Sequence, residues 1–343
     1  MAEFYDISDW QEKPHFQTGG TRNKVIVENP DTGELYYFKT SLKKIKIDYK
    51  YEFWSEILAS EIGNELGFAT LKYDIAWHKD EIGCLSQSMI NTNKGKLSEG
   101  INYLRGYDPN YNPDDKKSHS QYTFSFIEKA LDAYSLKNEM HHLVKTIIFD
   151  SLIGNRDRHQ ENWGFVVYAY FEKTVDKIRN IVLASKIFKF LIKYYYRKGE
   201  VSKKELDIIL YAMKGVFSPI YDSGSSLGRE LADNKIDEML KDDTKMEEYI
   251  NHDRCEIRWT DEKISHFELI KLIKEKTIYK NVVEYEIKRI SEKFNKSNIE
   301  KIIEDVDKEL PNKFIQYKLP DNRKKLIGKF VLLRLEKLKQ IVK

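Results

Sequence analysis

The pattern of apolar residues changes near residue 90, and this change constrains the fold more than any other feature of the sequence. Before it, short runs rich in β-branched and aromatic residues predict strands around one helix. Two of these runs, Lys24–Glu28 and Glu34–Lys39, are joined by turn-forming residues at Asn29–Gly33, which predicts a β-hairpin. Apolar residues at regular helical spacing predict a helix over Tyr51–Leu66. Further strands are expected at about Leu71–Trp77 and Ile82–Ile90.

After this point the patterns are mainly helical. The stretch Asn91–Ser120 is rich in Asn, Gly, Pro, Asp and Lys, which predicts a linker and irregular loop. Helices are predicted at Asn138–Leu152, Ser202–Met213, Asn281–Phe294 and Asp321–Ile341. The sequence therefore predicts an α+β fold with two lobes, as in a protein kinase. A small β-rich N-lobe is expected at 1–105 and a larger helical C-lobe at 106–343, with a helical insertion at about 170–214.

Composition excludes several classes of protein. With 343 residues, of which 41% are hydrophobic and 33% charged, the chain can bury a sizeable core and is not expected to be disordered. Its net charge of +3 gives no support to direct nucleic-acid binding, which is not expected. Cys84 and Cys255 are too few for a disulfide framework. No secretory signal is visible in Met1–Gly20, and the most apolar stretch is interrupted by lysines. A cytoplasmic protein, or a delivered effector, without membrane contact is therefore expected.

Four short segments, in order along the chain, contain the residue types that phosphoryl transfer requires. That reaction needs the nucleotide phosphates held, Mg²⁺ held and the attacking hydroxyl directed in line. Glycines within Thr18–Thr21 allow backbone N–H groups to approach phosphate, and Lys39 at the end of the hairpin can reach the same phosphates. Asp157 and Asn162 lie five positions apart, and Asp222 shortly precedes a glycine. Each feature is weak alone, but their order favours a kinase.

The same aspartate–asparagine spacing occurs a second time, at Asp150 and Asn155. Asp150 falls within the predicted helix Asn138–Leu152, so it is expected to face the helix surface or to cap a neighbouring element. We therefore prefer the pair Asp157 and Asn162.

The C-terminal segment from Asn322 to Lys343 is basic and amphipathic. Such a segment can indicate nucleic acid or an acidic membrane surface. The more common structure is a terminal helix docked by its apolar residues, here Ile327, Val331 and Leu338, with its lysines in water. We expect the docked helix.

Two segments carry a family resemblance. Gly154-Asn-Arg-Asp-Arg-His159, followed by Asn162-Trp-Gly-Phe165, resembles the G-N-x-D-x-H-x-x-N catalytic loop of the HipA-like serine/threonine kinases. Pro219–Leu227 resembles the P-x-[YF]-D-x-G-S-x-L segment that holds the metal-binding aspartate of that family. The short, CtkA-like members share both segments and are also similar around Trp54-Ser-Glu56. The resemblance extends in ordered blocks over roughly Gly19–Gly228, and the N-terminal subdomain of the larger members is not expected.

The resemblance implies a two-lobed kinase fold that binds ATP and Mg²⁺ between its lobes. Asp157 would accept or orient the proton of the substrate hydroxyl, and His159 would brace the catalytic loop by hydrogen bonds. Asn162 and Asp222 would hold Mg²⁺ through their oxygen atoms.

The nucleotide side of the implied site consists of the glycine loop and a lysine. Gly19, Gly20 and Thr21 would bind the phosphates. Lys39 would contact the α- and β-phosphates and pair with a carboxylate of the predicted helix. Glu56 matches that role best, and Glu52, one turn earlier, is the alternative.

The leading functional interpretation is a serine/threonine protein kinase of the toxin or effector type that also phosphorylates itself, at Thr18 or Thr21. A protein substrate and a regulatory or antitoxin partner are expected. Two alternatives stay open. One is a kinase of the same fold that acts on a small-molecule or lipid acceptor. The other is an inactive nucleotide-binding interaction module, whose sign would be a missing metal ligand or base, and none is missing.

Overall fold

The computed structural model describes residues 2–14, 24–44, 47–90, 95–168, 199 and 215–343. The strands of these segments are β1 (Phe4–Asp6), β2 (Gln11–Glu12), β3 (Lys24–Glu28), β4 (Leu35–Thr40), β5 (Lys43–Lys44), β6 (Ile47–Asp48), β7 (Asp74–His78), β8 (Glu81–Gln87), β9 (Gly95–Glu99), β10 (Gly164–Tyr168) and β11 (Val216–Phe217). The helices are α1 (Glu52–Glu65), α2 (Gly100–Tyr107), α3 (Lys116–His119), α4 (Phe124–Ala133), α5 (Met140–Ile153), α6 (Asp233–Lys241), α7 (Asp243–Asn251), α8 (His266–Glu275), α9 (Thr277–Lys293), α10 (Lys296–Asp305) and α11 (Asp321–Val342). Short 3₁₀ helices lie at Lys137–Glu139 and Asn312–Tyr317.

A six-stranded sheet in the order β1-β7-β8-β4-β3-β2 forms the N-lobe together with α1. The predicted hairpin is confirmed as β3 and β4, whose antiparallel register places Lys24 opposite Lys39. On its other side β4 pairs with β8, where Cys84 lies opposite Lys39. Lys39 is therefore in the interior of the sheet, with a strand on each side, and not at an edge.

Helix α1 confirms the helix predicted at Tyr51–Leu66, with bounds of Glu52 and Glu65. The chain leaves it through Gly67, whose φ of +77 is the left-handed conformation that commonly ends a helix. Almost every residue of α1 is buried, including Trp54, whose indole N–H donates to the Tyr317 carbonyl at 2.8 Å. The helix that carries Glu56 is thus enclosed by the sheet on one side and by the C-terminal part of the chain on another.

The prediction of an irregular linker over Asn91–Ser120 was wrong for much of that range. Strand β9 and helix α2 occupy residues 95–107, and α3 follows. β9 pairs with β10, which places Glu99 opposite Gly164. The partner strand is far away along the chain, so no local pattern reveals the pairing.

Helix α5 is central to the C-lobe and confirms the helix predicted at Asn138–Leu152. It is buried on nearly every face, and α8, α9 and α11 pack against it. The predictions at Asn281–Phe294 and Asp321–Ile341 are confirmed as α9 and α11. Helices α4, α6, α7, α8 and α10 were not predicted, because helices this short are stabilised mainly by tertiary packing. The predicted helix Ser202–Met213 and the insertion at 170–214 lie outside the described residues, apart from Gly199.

The two lobes share a continuous core that includes α1, α5 and the helices from α8 to α11. The chain therefore has the predicted α+β, two-lobed, kinase-like fold. The proposed boundary between residues 105 and 106 falls within α2 and stays a prediction.

Candidate active site

The side chain of Lys39 lies between two carboxylates that are distant in sequence. Its Nζ contacts Glu56 Oε1 on α1 and Asp222 Oδ1 at 2.5 Å in the segment after β11. Lys39 and Glu56 are both buried, and Asp222 is slightly more exposed. Lys24 Nζ, on the neighbouring strand, is 3.7 Å from Asp222 Oδ2. The structure thus brings three of the predicted site residues into direct contact.

Glu52, the alternative partner for Lys39, has a different position. It is buried and forms an ion pair with Arg229, and its Oε2 accepts a hydrogen bond from the Leu42 N–H at 2.7 Å. One turn along α1, Glu56 accepts from Lys39 and, through Oε2, from the Ser223 N–H at 2.7 Å. Of these two glutamates, the structure therefore pairs Lys39 with Glu56.

The loop after α5 carries Asp157 and Asn162. It begins at Gly154, whose φ is +67 and where a Cβ would lie 2.6 Å from the Phe330 ring, so glycine is required there on two grounds. The Asp157 N–H donates to Asn155 Oδ1 at 3.2 Å, and Asn162 Nδ2 donates to the Asp157 carbonyl at 2.7 Å. The loop is therefore closed on itself by side-chain bonds to its own backbone.

His159 takes part in the same closure. Its Nδ1 accepts a hydrogen bond from the Glu161 N–H at 3.2 Å. This contact is within the loop, and it is consistent with a bracing role for the imidazole.

Arg158 was not singled out from the sequence, although it links the two halves of the site. Its guanidinium is 2% exposed and donates to both carboxylate oxygens of Asp150, at 2.8 and 2.9 Å. It also donates to the Asn162 carbonyl at 2.7 Å, the Tyr221 carbonyl at 2.5 Å and Ser223 Oγ at 3.2 Å. Because these last two residues flank Asp222, Arg158 ties the loop that carries Asp157 to the segment that carries Asp222.

The interpretation of Asp150 as a residue on a helix surface was wrong. Asp150 is 1% exposed, and it accepts from Asn155 Nδ2 at 3.0 Å as well as from Arg158. Burial lowers the pKa of Arg158, but the charge and hydrogen bonds of Asp150 more than offset this and raise that pKa above its ordinary value. The buried Asp150–Arg158 pair therefore braces the loop through its hydrogen bonds to Asn155 and to the Asn162 carbonyl.

The segment that contains Asp222 has a backbone shape that its sequence explains. Asp222 has φ +53, a conformation that aspartate tolerates better than most residues, and its N–H donates to the Tyr73 hydroxyl at 3.2 Å. Two positions later, a Cβ on Gly224 would lie 2.9 Å from Glu56 Oε1. The glycine of the Asp-Ser-Gly sequence therefore allows this segment to lie against the glutamate of α1.

Besides the two lysines, further carboxylates lie near Asp222. Burial raises the pKa of the Glu99 carboxyl, and the nearby carboxylates of Glu161 and Asp222 raise it further, against a lowering effect of Lys24. A divalent cation would relieve this repulsion, and the Asp222 carboxylate and Asn162 amide are oxygen ligands of the type Mg²⁺ prefers. In the described part of the chain no three or more His, Cys, Asp or Glu side chains form a metal-binding group by themselves. Asp222 and Asn162 thus offer two oxygen ligands of the type that suits such a cation.

Part of the predicted site lies outside the described residues. Gly19, Gly20 and Thr21 belong to this part, as do the candidate modification sites Thr18 and Thr21.

Among the helices of the segments that the structure does describe, none is both long and apolar enough to cross a membrane.

The fold is similar to two solved structures. One is the proinflammatory kinase CtkA of Helicobacter pylori, with a TM-score of 0.68 and 17% sequence identity over 98% of this chain and 96% of that chain. The other belongs to the complex of the toxin–antitoxin proteins HipA and HipB with operator DNA from Shewanella oneidensis MR-1, with a TM-score of 0.50 and 11% identity over 96% of this chain and 66% of that chain. No protein-family model and no curated protein sequence matches the chain. The similarity is one of fold, and the chain has the fold of the HipA-like kinases.

Proposed function

We propose that this chain is an ATP- and Mg²⁺-dependent kinase that transfers phosphate to serine or threonine hydroxyls of a protein, including its own, in the cytoplasm. The observation that carries the proposal is the contact of Lys39 with both Glu56 and Asp222, across 17 and 183 positions of sequence. A strand lysine, a helix glutamate and a metal-binding aspartate are the parts that position phosphates in kinases. Their association in a chain with this fold favours phosphoryl transfer over a structural role.

The residues of the site have distinct tasks in this proposal. Bound Mg²⁺ would neutralise charge on the nucleotide phosphates, with Asp222 and Asn162 as its protein ligands. Lys39 would hold the α- and β-phosphates, and Glu56 would keep the Lys39 side chain extended towards them. Gly19, Gly20 and Thr21 would cover the phosphates with backbone N–H groups.

Asp157 would act on the acceptor. Its carboxylate orients the acceptor hydroxyl and takes the proton that is released as the hydroxyl oxygen bonds to the γ-phosphorus. ADP leaves with the electrons of the broken bridging bond. His159 and Arg158 keep the loop in shape and do not take part in the proton transfer.

The test is phosphate transfer by the purified protein. With γ-labelled ATP, Mg²⁺ and a dephosphorylated cell lysate, label should enter protein as phosphoserine or phosphothreonine. It should not do so with EDTA or with the Asp157→Asn variant. Mass spectrometry of the protein alone should show phosphate within Thr18–Thr21, the expected site of autophosphorylation. If the label is confined to lipids or small molecules, the acceptor belongs to that class and is not a protein. Nucleotide binding without any transfer would support the inactive module.

A regulatory partner is part of the proposal. The similar HipA chain was solved together with HipB and operator DNA. By analogy, this kinase would be restrained by a partner protein. The tagged, endogenously expressed chain should co-purify with one protein in stoichiometric amount. Addition of that protein should lower the rate of phosphate transfer. If none of the co-purifying proteins lowers the rate of phosphate transfer, the regulatory partner is contradicted.

A further inference from the structure

We propose that Ser225 is a positioning residue of this site, which sets the orientation of the Asp157 carboxylate through its hydroxyl. The Ser225 Oγ–H donates to Asp157 Oδ2 at 3.1 Å. The catalytic consequence of this contact rests on the proposed function, whereas the hydrogen bond itself does not.

The backbone of Asp157 is held without Ser225. Its N–H donates to Asn155 Oδ1 and its carbonyl accepts from Asn162 Nδ2, so the loop fixes the position of the Cα atom. These bonds leave rotation of the side chain undetermined, and the terminal torsion of aspartate is broad. Among contacts between described residues, the hydrogen bond from Ser225 is the one that reaches the carboxylate. Ser225 therefore decides which way the carboxylate oxygens face.

Ser225 is itself held firmly against the catalytic loop. Its carbonyl accepts from the Arg156 N–H at 3.3 Å, and the Leu227 N–H donates to the Ile153 carbonyl at 2.9 Å. These two backbone bonds join the chain directly after the Ser225 Cα atom to the residues directly before Asp157. Ser225 is 9% exposed, so its hydroxyl is largely shielded from water that would compete for the hydrogen bond.

The hydrogen bond occupies Oδ2 and leaves Oδ1 for the acceptor hydroxyl. Without it the carboxylate can rotate, and the acceptor is no longer directed at one oxygen. Small displacements of a catalytic group reduce the rate by as much as about a hundredfold, since the reaction requires near-attack geometry. Binding of ATP does not use this oxygen, so the nucleotide KM should be unaffected.

The neighbouring Ser226 provides a matched control. It is 1% exposed, and in the described part of the chain its Oγ has no hydrogen-bond partner. Ser226→Ala removes the same atom from the same segment without removing a contact to Asp157. It should leave the rate of phosphate transfer unchanged, and it should leave the free energy of unfolding unchanged or raise it.

The kinetic experiment compares Ser225→Ala, Ser225→Thr and Ser226→Ala in the full chain. We expect Ser225→Ala to lower kcat by about tenfold or more at an unchanged KM for ATP, and Ser225→Thr to recover most of kcat through its hydroxyl. In the Asp157→Ala background, Ser225→Ala should have no further effect on residual transfer, because its target carboxylate is absent. Any one of three results would overturn the proposal. These are a wild-type kcat in Ser225→Ala, an equal loss of kcat in Ser226→Ala, and phosphate on Ser225 of the wild type after incubation with ATP.

Crystal structures of the wild type and Ser225→Ala provide a measurement that does not depend on activity. A rotated or split Asp157 carboxylate in the variant is expected, and an unchanged carboxylate would overturn the positioning role. If the wild type transfers no phosphate to any acceptor, the proposed function fails, and the crystal structures still decide the role of Ser225.

Discussion

At the scale of single residues, the partners of each charge decide which carboxylates serve the site. Glu52 and Glu56 both lie on buried faces of α1, yet Glu52 is held by Arg229 and Glu56 by Lys39. Buried charges are costly when they lose a partner, because the interior cannot solvate them. The two glutamates should therefore respond differently to the same substitution.

Glu56→Gln should lower kcat/KM for ATP by about tenfold to a hundredfold, as expected for loss of a hydrogen bond to a charged group. The physical reason is that a neutral amide would no longer hold the Lys39 ammonium by charge, so the lysine would lose its fixed position. Steady-state kinetics measure the effect. Glu52→Gln is the matched control, since Glu52 is equally buried on the same helix. Its main effect should be a lower thermal stability, with a smaller change in kcat/KM than Glu56→Gln causes. A larger kinetic defect in Glu52→Gln would contradict the pairing.

Asp222→Asn and Asp157→Asn should each lower phosphate transfer by about a thousandfold or more, since each removes a charge that acts on the reacting groups. Their effects on binding should differ. Asp222→Asn should weaken binding of Mg²⁺–ADP in calorimetry, because it loses a metal ligand, whereas Asp157→Asn should bind Mg²⁺–ADP as the wild type does. Near-wild-type turnover in either variant would remove that aspartate from the mechanism.

At the scale of elements, two loops and a helix meet at the site and are held at a fixed spacing. Arg158 joins the loop that carries Asp157 to the segment around Asp222 from one side. From the other side, Glu56 of α1 accepts from the Ser223 N–H, and Gly224 lies against its carboxylate. The segment has no room for a side chain at this position, so its glycine sets the distance between loop and helix.

Gly224→Ala should displace Glu56 from Lys39 and lower kcat/KM for ATP by about tenfold or more, since the added Cβ would come within 2.9 Å of Glu56 Oε1. Gly328→Ala, in the interior of α11, is the control. Its Cβ would have as nearest neighbour Ile303 Cδ1 at 3.8 Å, and it should stabilise the helix by about 0.5–1 kcal/mol without changing transfer. Kinetics and thermal unfolding of both variants test this, and wild-type kinetics in Gly224→Ala would show that the segment can move aside.

At the scale of the whole molecule, helix α11 is connected to the loop that carries Asp157 through a buried carboxylate. Asp253, which follows α7, accepts from Arg334 of α11, from His266 Nδ1 at 3.0 Å and from Arg156 Nε at 2.6 Å. Arg156 immediately precedes Asp157. The prediction that α11 docks through Ile327, Val331 and Leu338 is confirmed, since all three are buried.

The expectation that the lysines of α11 lie in water was wrong for Lys324, which is 8% exposed and forms an ion pair with Asp307 at 3.0 Å. Arg323 and Arg334 of the same helix are also buried. A pattern of apolar and basic residues does not reveal a buried acceptor supplied by another part of the chain.

The Asp253 network should make stability depend on pH. Burial would raise the pKa of Asp253, but the charges of Arg334, His266 and Arg156 lower it well below its ordinary value. The stabilisation is therefore present above the unfolded pKa of about 4 and is lost as pH falls towards the folded pKa. Asp253→Asn should lower the free energy of unfolding near neutral pH by about 3–5 kcal/mol, because it leaves buried cations without their partner. Urea unfolding of both proteins between neutral pH and about pH 3 measures this effect. The free energy of unfolding should fall less steeply with decreasing pH in the variant, and an identical pH dependence in both proteins would contradict the assignment.

Much of this fold and part of its site followed from local patterns. The hairpin β3–β4 and the helices α1 and α5 were predictable, because side-chain periodicity over a few residues reflects the face that each element buries. Asp157, Asn162 and Asp222 were predictable as candidates, because their residue types and spacing suit metal and proton chemistry. The resemblance to a kinase family came from the same short segments.

Only the tertiary structure decided the pairings. Helical spacing alone allows either Glu52 or Glu56 to meet a lysine, and only the family resemblance favoured Glu56. Nothing in the local sequence indicated that Arg158 and Asp150 brace the loop or that Ser225 contacts Asp157. The Lys39–Asp222 contact spans 183 positions and the Ser225–Asp157 contact spans 68. Such contacts depend on how lobes and loops pack in three dimensions. The sequence by itself thus determined which groups could perform the chemistry, and packing determined which of them meet, because charge pairing and burial act through space and not along the chain.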